Sequence, residues 1–126
     1  MSNLETGVFL LFILLLAMIH TLGEVIYKKG SMLYVQSNLS IKDISKLSII
    51  GFPLFIIIFS IGISLGIKVI YGIILASNPL SITAGLFLGS IAIFSVFFGK
   101  VFYNEQVSSL RVVGIGMIAF GIILLV

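Results

Sequence analysis

The sequence of 126 residues is 60% hydrophobic and only 9% charged, and it contains no cysteine. An ordinary soluble domain carries about 25% charged residues, and a chain this short has too much surface to cover with so few charges. Composition therefore excludes a water-soluble globular domain, a disordered tail and a nucleic-acid-binding protein. The lack of cysteine excludes a disulfide framework, a thiolate metal site and a cysteine nucleophile.

Four apolar runs follow one another along the chain, at about residues 7–27, 47–76, 79–99 and 107–126. A bilayer span needs about 20 apolar residues, and no run shows the alternation of a β-barrel strand. The sequence predicts an all-α membrane protein, with four transmembrane helices in one antiparallel bundle over residues 1–126. The first run is expected to stop at Lys28-Lys29-Gly30 and to remain as a span, because no small-residue cleavage site follows it.

Local signals predict the helix ends. Asn78 and Pro79 are expected as the N-cap and the first residue of the third helix, and Ser108 or Ser109 is expected to cap the fourth. Residues 40–43 resemble a capping box before a short amphipathic stretch, 41–47, which is expected to lie at the membrane surface.

Six of the seven Lys and Arg residues fall in the first and third connections between spans. These six are Lys28, Lys29, Lys42, Lys46, Lys100 and Arg111. The positive-inside rule predicts that both connections are cytoplasmic and that both termini lie outside a cell (plasma) membrane. The alternative, that basic residues only anchor helix ends in lipid headgroups, would place them on both faces.

Ionisable residues lie inside two of the predicted spans: His20 and Glu24 in the first, and Lys68 in the second. A charge at a helix centre costs about 2.5–3.5 kcal/mol on insertion scales, so such residues generally face a bundle interior. His20, Glu24 and Lys28 recur every four residues on one helical stripe, with Tyr27 beside it. Desolvation favours a protonated Glu24, which predicts a carboxylate that exchanges a proton for a cation, with His20 as a relay. The alternatives are a Glu24 paired to Lys28 near the membrane edge and a hydrogen-bonded core His20.

Lys68 lies eleven residues before Pro79, well inside the second span. A buried Lys needs a carboxylate, a phosphate or deprotonation. Glu24 is the one carboxylate inside the predicted spans, so a Glu24–Lys68 pair is expected, either within a subunit or between subunits. The alternative is a Lys68 that reaches the interface from a tilted helix.

Small residues repeat along three spans at the spacing of one helix face. They are Gly62 and Gly66 in the second span, Ser81, Gly85 and Gly89 in the third, and Gly114 and Gly121 in the fourth. Such stripes let helices approach closely, so helix packing is their expected role, with a hinge at Gly85 and Gly89 as a secondary one. Dimerisation is expected on the face that carries Gly114 and Gly121.

The second half of the chain, from Asn78 on, resembles the drug/metabolite transporter superfamily. A Pro opens the third span, and residues 102–108 (Phe-Tyr-Asn-Glu-Gln-Val-Ser) precede a last helix with Arg111, Gly114 and Gly121. This order is similar to that of EamA-like halves, while the length and the four spans resemble the small multidrug resistance family. The resemblance implies a transporter that works as a dimer around a site near the membrane midplane.

In the small multidrug resistance family, a first-span Glu is followed by a Gly three residues on and a Lys eight on. Aligning Gly23 and Lys28 with that pattern puts His20 at the Glu position. The family's third-span Trp and its second- and third-span Tyr positions fall on Phe87, Ser64 and Ala84. These replacements weaken cation–π capture of a flat aromatic cation. Gly23-Glu24 with Lys28 also resembles small four-span subunits that translocate polyprenyl-phosphate-linked aminosugars.

The leading interpretation is a secondary transporter of this superfamily that moves a small polar or amphipathic solute, with proton coupling through Glu24. Its site is expected to comprise Glu24, His20, Lys68, Lys28, Tyr27, Ser64 and Phe87. The alternative is a subunit of a polyprenyl-phosphate-linked sugar flippase, in which Lys28 and Lys68 meet a phosphate. A third interpretation is a non-transporting accessory protein. An enzyme, a metal site and a cofactor are not expected. The sequence has one His, no Cys and one carboxylate inside the predicted spans, which do not make up a known catalytic or metal-binding set of residues.

The charge bias also predicts the assembly. Insertion in two orientations is disfavoured when all six loop charges lie on one face. An antiparallel homodimer is therefore not expected. The sequence predicts a parallel homodimer or a heterodimer with an oppositely oriented homologue, and it favours the heterodimer. The remaining surface is expected to contact membrane lipid.

Overall fold

The computed structural model describes residues 3–36 and 47–125 of the chain, with side chains for residues 5–36 and 51–124. These residues form four α-helices and no β-strand: α1 (Asn3–Gln36), α2 (Leu47–Ser77), α3 (Leu80–Tyr103) and α4 (Ser109–Leu125). The helices α1, α2 and α3 are long and apolar enough to cross a membrane. The 17 residues of α4 extend over about 25 Å. The all-α prediction is confirmed, and the apolar helices suggest a membrane protein.

The first helix is longer than its sequence predicts. α1 continues through Lys28-Lys29-Gly30 to Gln36. At Gly30 it meets α2 so closely that an added Cβ would lie 2.9 Å from Ile56 Cγ2 and 3.0 Å from Ile57 Cγ1. Because packing against α2 offsets the low helix propensity of glycine, Gly30 acts as a contact position and does not end the helix.

The chain between α1 and α2 carries several sequence predictions that lie outside the described residues. They are the capping box at 40–43, the surface stretch up to residue 46, and the basic residues Lys42 and Lys46. Leu47, the last residue of that predicted stretch, is the first residue of α2.

The turn between α2 and α3 differs from the prediction by one residue. Pro79 is itself the N-cap of α3, with φ −57° and ψ 128°, and its carbonyl accepts the first helical bond from the Thr83 N–H at 3.0 Å. The Asn78 side chain instead donates to the Ile74 carbonyl at 2.9 Å, so it satisfies the end of α2. At the start of α4, the Arg111 N–H donates to Ser108 Oγ at 3.4 Å, which confirms a serine cap there.

α1 is the central helix of the bundle. It packs between α2 and α3, while α4 contacts only α3 among the described helices. α1 runs antiparallel to α2, since Gly23 faces Ile63 and Gly30 faces Ile56. It runs parallel to α3, because the Tyr103 hydroxyl donates to the Val25 carbonyl.

The packed core lies where α1 crosses α2 and α3. Its buried members are Ile13, Leu16, Ala17, Ile67, Leu86 and Phe87. Partly buried apolar side chains surround this core, and many other large apolar side chains on all four helices are exposed. In a bilayer, lipid tails cover such a surface at no hydrophobic cost.

Candidate functional site

A groove of about 330 Å³ lies between α1 and α2 and brings together five of the residues predicted for the site. Its lining residues are His20, Glu24, Tyr27, Ser60, Ile61, Ser64, Leu65 and Lys68. The groove opens at the side of the bundle, because the Glu24 side chain is 54% exposed and Lys68 is exposed on the opposite wall. A carboxylate, an imidazole and an ammonium group thus border one opening at the level of the apolar helices.

His20 and Glu24 are in contact on the α1 wall of this groove. His20 Nε2 lies 3.5 Å from Glu24 Oε1, one helical turn along α1, and the His20 side chain is only 14% exposed. The other ring nitrogen, Nδ1, is buried without a hydrogen-bond partner among the described residues. Nε2 is therefore the ring nitrogen that faces Glu24.

Lys68 lies across the groove from this pair. No ion pair joins Lys68 to Glu24 within the described residues, so the predicted Glu24–Lys68 pair is not formed inside one subunit. The two residues stand on different helices, and Ser60 and Ser64 line the α2 wall of the same groove.

Lys28, predicted as a site residue, has a different partner. Its ammonium group forms an ion pair with Glu105 and lies 4.3 Å from the centroid of the Tyr103 ring. The Tyr103 hydroxyl in turn donates to the Val25 carbonyl at 2.5 Å. The hydrogen bond and the positive charge of Lys28 hold the pKa of the Glu105 carboxyl below its ordinary value of 4.5. Among the described residues, the ion pair of Lys28 is with Glu105, and none joins Lys28 to Glu24.

The turn after α3 explains how Glu105 reaches Lys28. Asn104 adopts the left-handed conformation, with φ 51°, and the Glu105 N–H donates to the Gly99 carbonyl at 3.2 Å. The carboxylate then folds back over Gly99, where an added Cβ would lie 2.9 Å from Glu105 Oε2. Sequence reasoning missed this contact, although an Asn directly after an apolar run is a signal for a left-handed helix end.

Glu24 borders two cavities, one on each side of α1. It lines the groove on the α2 side and also a smaller cavity of about 120 Å³ on the α3 side. That cavity is bordered by Thr21, Glu24, Val25, Lys28, Ser95, Gly99 and Tyr103. Glu24 therefore borders both the groove and the cavity that Lys28 lines.

Phe87 does not line the groove. It is 7% exposed, stacks on Tyr71 with centroids 4.4 Å apart and lies 6.0 Å from the His20 ring. It therefore lies in the core beside the His20 ring. A direct contact with solute at Phe87 is not supported by this position.

The small residues divide into packed and open positions. A Cβ at Gly89 would lie 2.9 Å from Ile122 Cδ1, so Gly89 is the point where α3 meets α4. For four other glycines, no described atom lies within 4 Å of an added Cβ; these are Gly62, Gly66, Gly114 and Gly121. Gly85 is half-buried on α3. The helix-packing prediction is confirmed for Gly89, and the faces on α2 and α4 are open.

No family model matches this chain, and no curated protein or solved structure is significantly similar to it. The resemblance to the drug/metabolite transporter superfamily therefore rests on the motifs of the sequence itself.

Proposed function

We propose that the chain is a secondary transporter of the drug/metabolite transporter type, which moves a small polar or amphipathic solute across a membrane with a proton coupled through Glu24. The observation that carries this proposal is the groove that His20, Glu24 and Lys68 border together. Ionisable groups at membrane depth are costly and generally mark a solute or ion pathway.

Coupling follows from competition at one carboxylate. A proton and the cationic part of a solute both bind Glu24, and neither binds well while the other is present. His20 Nε2, 3.5 Å away, carries the proton to and from Glu24. Release of a proton on one side of the membrane and capture on the other then drives the solute in the opposite direction.

A second candidate is a subunit of a flippase for polyprenyl-phosphate-linked sugars. The side opening of the groove favours it, because a lipid-linked solute enters from the bilayer. Lys68 is the cation available for a phosphate, whereas Lys28 is held by Glu105. The two candidates differ in substrate size and share the same groove.

Assembly through α4 completes the proposal. Gly114 and Gly121 are open to a close neighbour, and α4 contacts only α3 within the described chain. We propose that a second subunit packs there, in a parallel homodimer or in a heterodimer with an oppositely oriented homologue, with both termini outside. A compartment-sensitive reporter fused to the C-terminus is expected to give a signal from the outer side alone. Comparable signals from both sides would contradict the single orientation.

The transport proposal is tested in liposomes that contain the protein and a trapped pH-sensitive dye. Addition of a transported solute is expected to move protons in the wild-type protein and not in Glu24→Gln, with Glu5→Gln as the matched control at the other end of α1. Solute movement with an unchanged pH dependence in Glu24→Gln would contradict coupling through Glu24. A wild-type protein that moves no amine, amino acid or sugar phosphate above protein-free liposomes would contradict transport.

A further inference from the structure

The charges on the two walls of the groove have opposite signs. Glu24 and His20 stand on α1, and Lys68 stands on α2. From this arrangement we infer that the solute is a zwitterion, a small molecule with an ammonium group that binds Glu24 and an anionic group that binds Lys68. The inference rests on the proposed transport function and names the chemical class of its solute.

Glu24 and Lys68 do not neutralise each other inside one subunit. Opposite charges at membrane depth generally pair, yet no ion pair joins these two, and no described residue forms an ion pair with Lys68. Both side chains are exposed to the groove opening. A ligand that places one charge at each wall supplies the partner that Lys68 lacks, and it adds a second partner for Glu24 beside His20.

Solutes with a single charge fit this groove poorly. A cation that binds Glu24 is repelled by the Lys68 ammonium, and an anion that binds Lys68 is repelled by the Glu24 carboxylate. These repulsions are strong where the surroundings are apolar. When His20 is neutral, the negative charge of Glu24 and the positive charge of Lys68 add up to zero. The ligand that complements the groove is therefore one with no net charge and with its two charges apart.

The size and polarity of the groove limit the ligand further. A volume of about 330 Å³ holds about ten water-sized groups, which corresponds to an amino acid or a comparable headgroup. Ser64 and Tyr27 contribute hydroxyl groups to the lining. The Ser60 hydroxyl donates a hydrogen bond to the Ile57 carbonyl at 2.7 Å. Ile61 and Leu65 supply apolar contact for a short carbon skeleton.

The experiment compares three probes that share one carbon skeleton: 4-aminobutyrate, butylamine and butyrate. Binding to the purified full chain is measured by calorimetry and by thermal stabilisation, since a ligand that binds the folded state raises its stability. We expect 4-aminobutyrate to bind at least about tenfold more tightly than either single-charge probe, because each wall contributes a charge-assisted hydrogen bond. Butylamine or butyrate binding as tightly as 4-aminobutyrate would overturn the inference, as would no binding by any of the three.

Two variants assign the charges to their walls. Glu24→Gln is expected to bind 4-aminobutyrate no more tightly than butyrate, because the partner of the ammonium group is gone. Lys68→Gln is expected to bind 4-aminobutyrate no more tightly than butylamine, because the partner of the carboxylate is gone. Lys100→Gln, which removes an exposed Lys outside the groove, is the matched control and is expected to keep both preferences. If a single variant fails to fold, the double variant Glu24→Lys with Lys68→Glu keeps the charges and is expected to retain the preference for the zwitterion.

The outcomes for ligand class and for function are separable. Transport of butylamine alone in liposomes, without binding of 4-aminobutyrate, would contradict the inference that the solute is a zwitterion. It would still support the proposed transport function. Tight binding of 4-aminobutyrate without movement across liposomes would support the ligand class and contradict transport.

Discussion

Lys28 of α1 and Glu105 of the connection between α3 and α4 form an ion pair across 77 residues of sequence. The contact ties the basic end of the predicted first span to the loop after the third helix. The first and third connections, which carry the loop charges, therefore leave the bundle from the same end. This geometry is the one that a single orientation under the positive-inside rule requires.

The ion pair predicts a specific acid sensitivity. The pKa of Glu105 lies below 4.5 in the folded chain, so its contribution to stability is present above that pH and is lost as the pH falls through the folded value. Glu105→Gln is therefore expected to melt at most a few degrees below the wild-type protein at pH 7, and the difference is expected to shrink as the pH falls below 4.5 and through the folded pKa of Glu105. Thermal unfolding in detergent measures both.

Glu5→Gln is the control for that comparison, since it removes a carboxylate far from Lys28. A difference between Glu105→Gln and wild type that stays constant from neutral to acid pH would show that the pair makes no pH-dependent contribution.

The contact at Gly30 predicts a contrast between two glycines. Gly30→Ala pushes a methyl group into Ile56 and Ile57, and overpacking of this kind costs about 1–3 kcal/mol. Gly72 has open space around it, so Gly72→Ala gains helix propensity of up to about 1 kcal/mol without a clash. Chemical unfolding in micelles is expected to rank Gly72→Ala above wild type and Gly30→Ala below it. Equal stability of the two variants would contradict the close approach of α1 and α2.

The sequence was sufficient to predict the helices and part of the groove. Apolar runs of this length form helices wherever they lie, and one stripe on α1 places His20 and Glu24 together without knowledge of any neighbour. The end of α1 was not predictable, because Gly30 stays helical through its contact with α2. The partner of Lys28 was hidden for a similar reason: Glu105 comes near it only through the left-handed turn at Asn104.

The open face of α4 predicts the place of a second subunit. Met117 is 72% exposed and lies between Gly114 and Gly121 on the same face. Because the chain has no cysteine, Met117→Cys accepts a single thiol-linked photocrosslinker. We expect an adduct with a second chain in membranes, and its mass distinguishes another copy from a homologue.

Ile73→Cys, on the exposed side of α2, is the control position for crosslinking and is expected to give no adduct. Equal adducts from both positions, or none from Met117→Cys, would contradict assembly through α4.

The most direct test of the proposed pathway asks whether water and solute enter the groove between α1 and α2. Ser64→Cys lies in the groove, and Val69→Cys lies on the same helix, 65% exposed on the apolar surface. A membrane-impermeant thiol reagent is expected to label Ser64→Cys in intact liposomes and to leave Val69→Cys unlabelled. A bound solute is expected to slow the labelling of Ser64→Cys. Equal lack of reaction at both positions would show that lipid fills the groove, and the proposed pathway would be wrong.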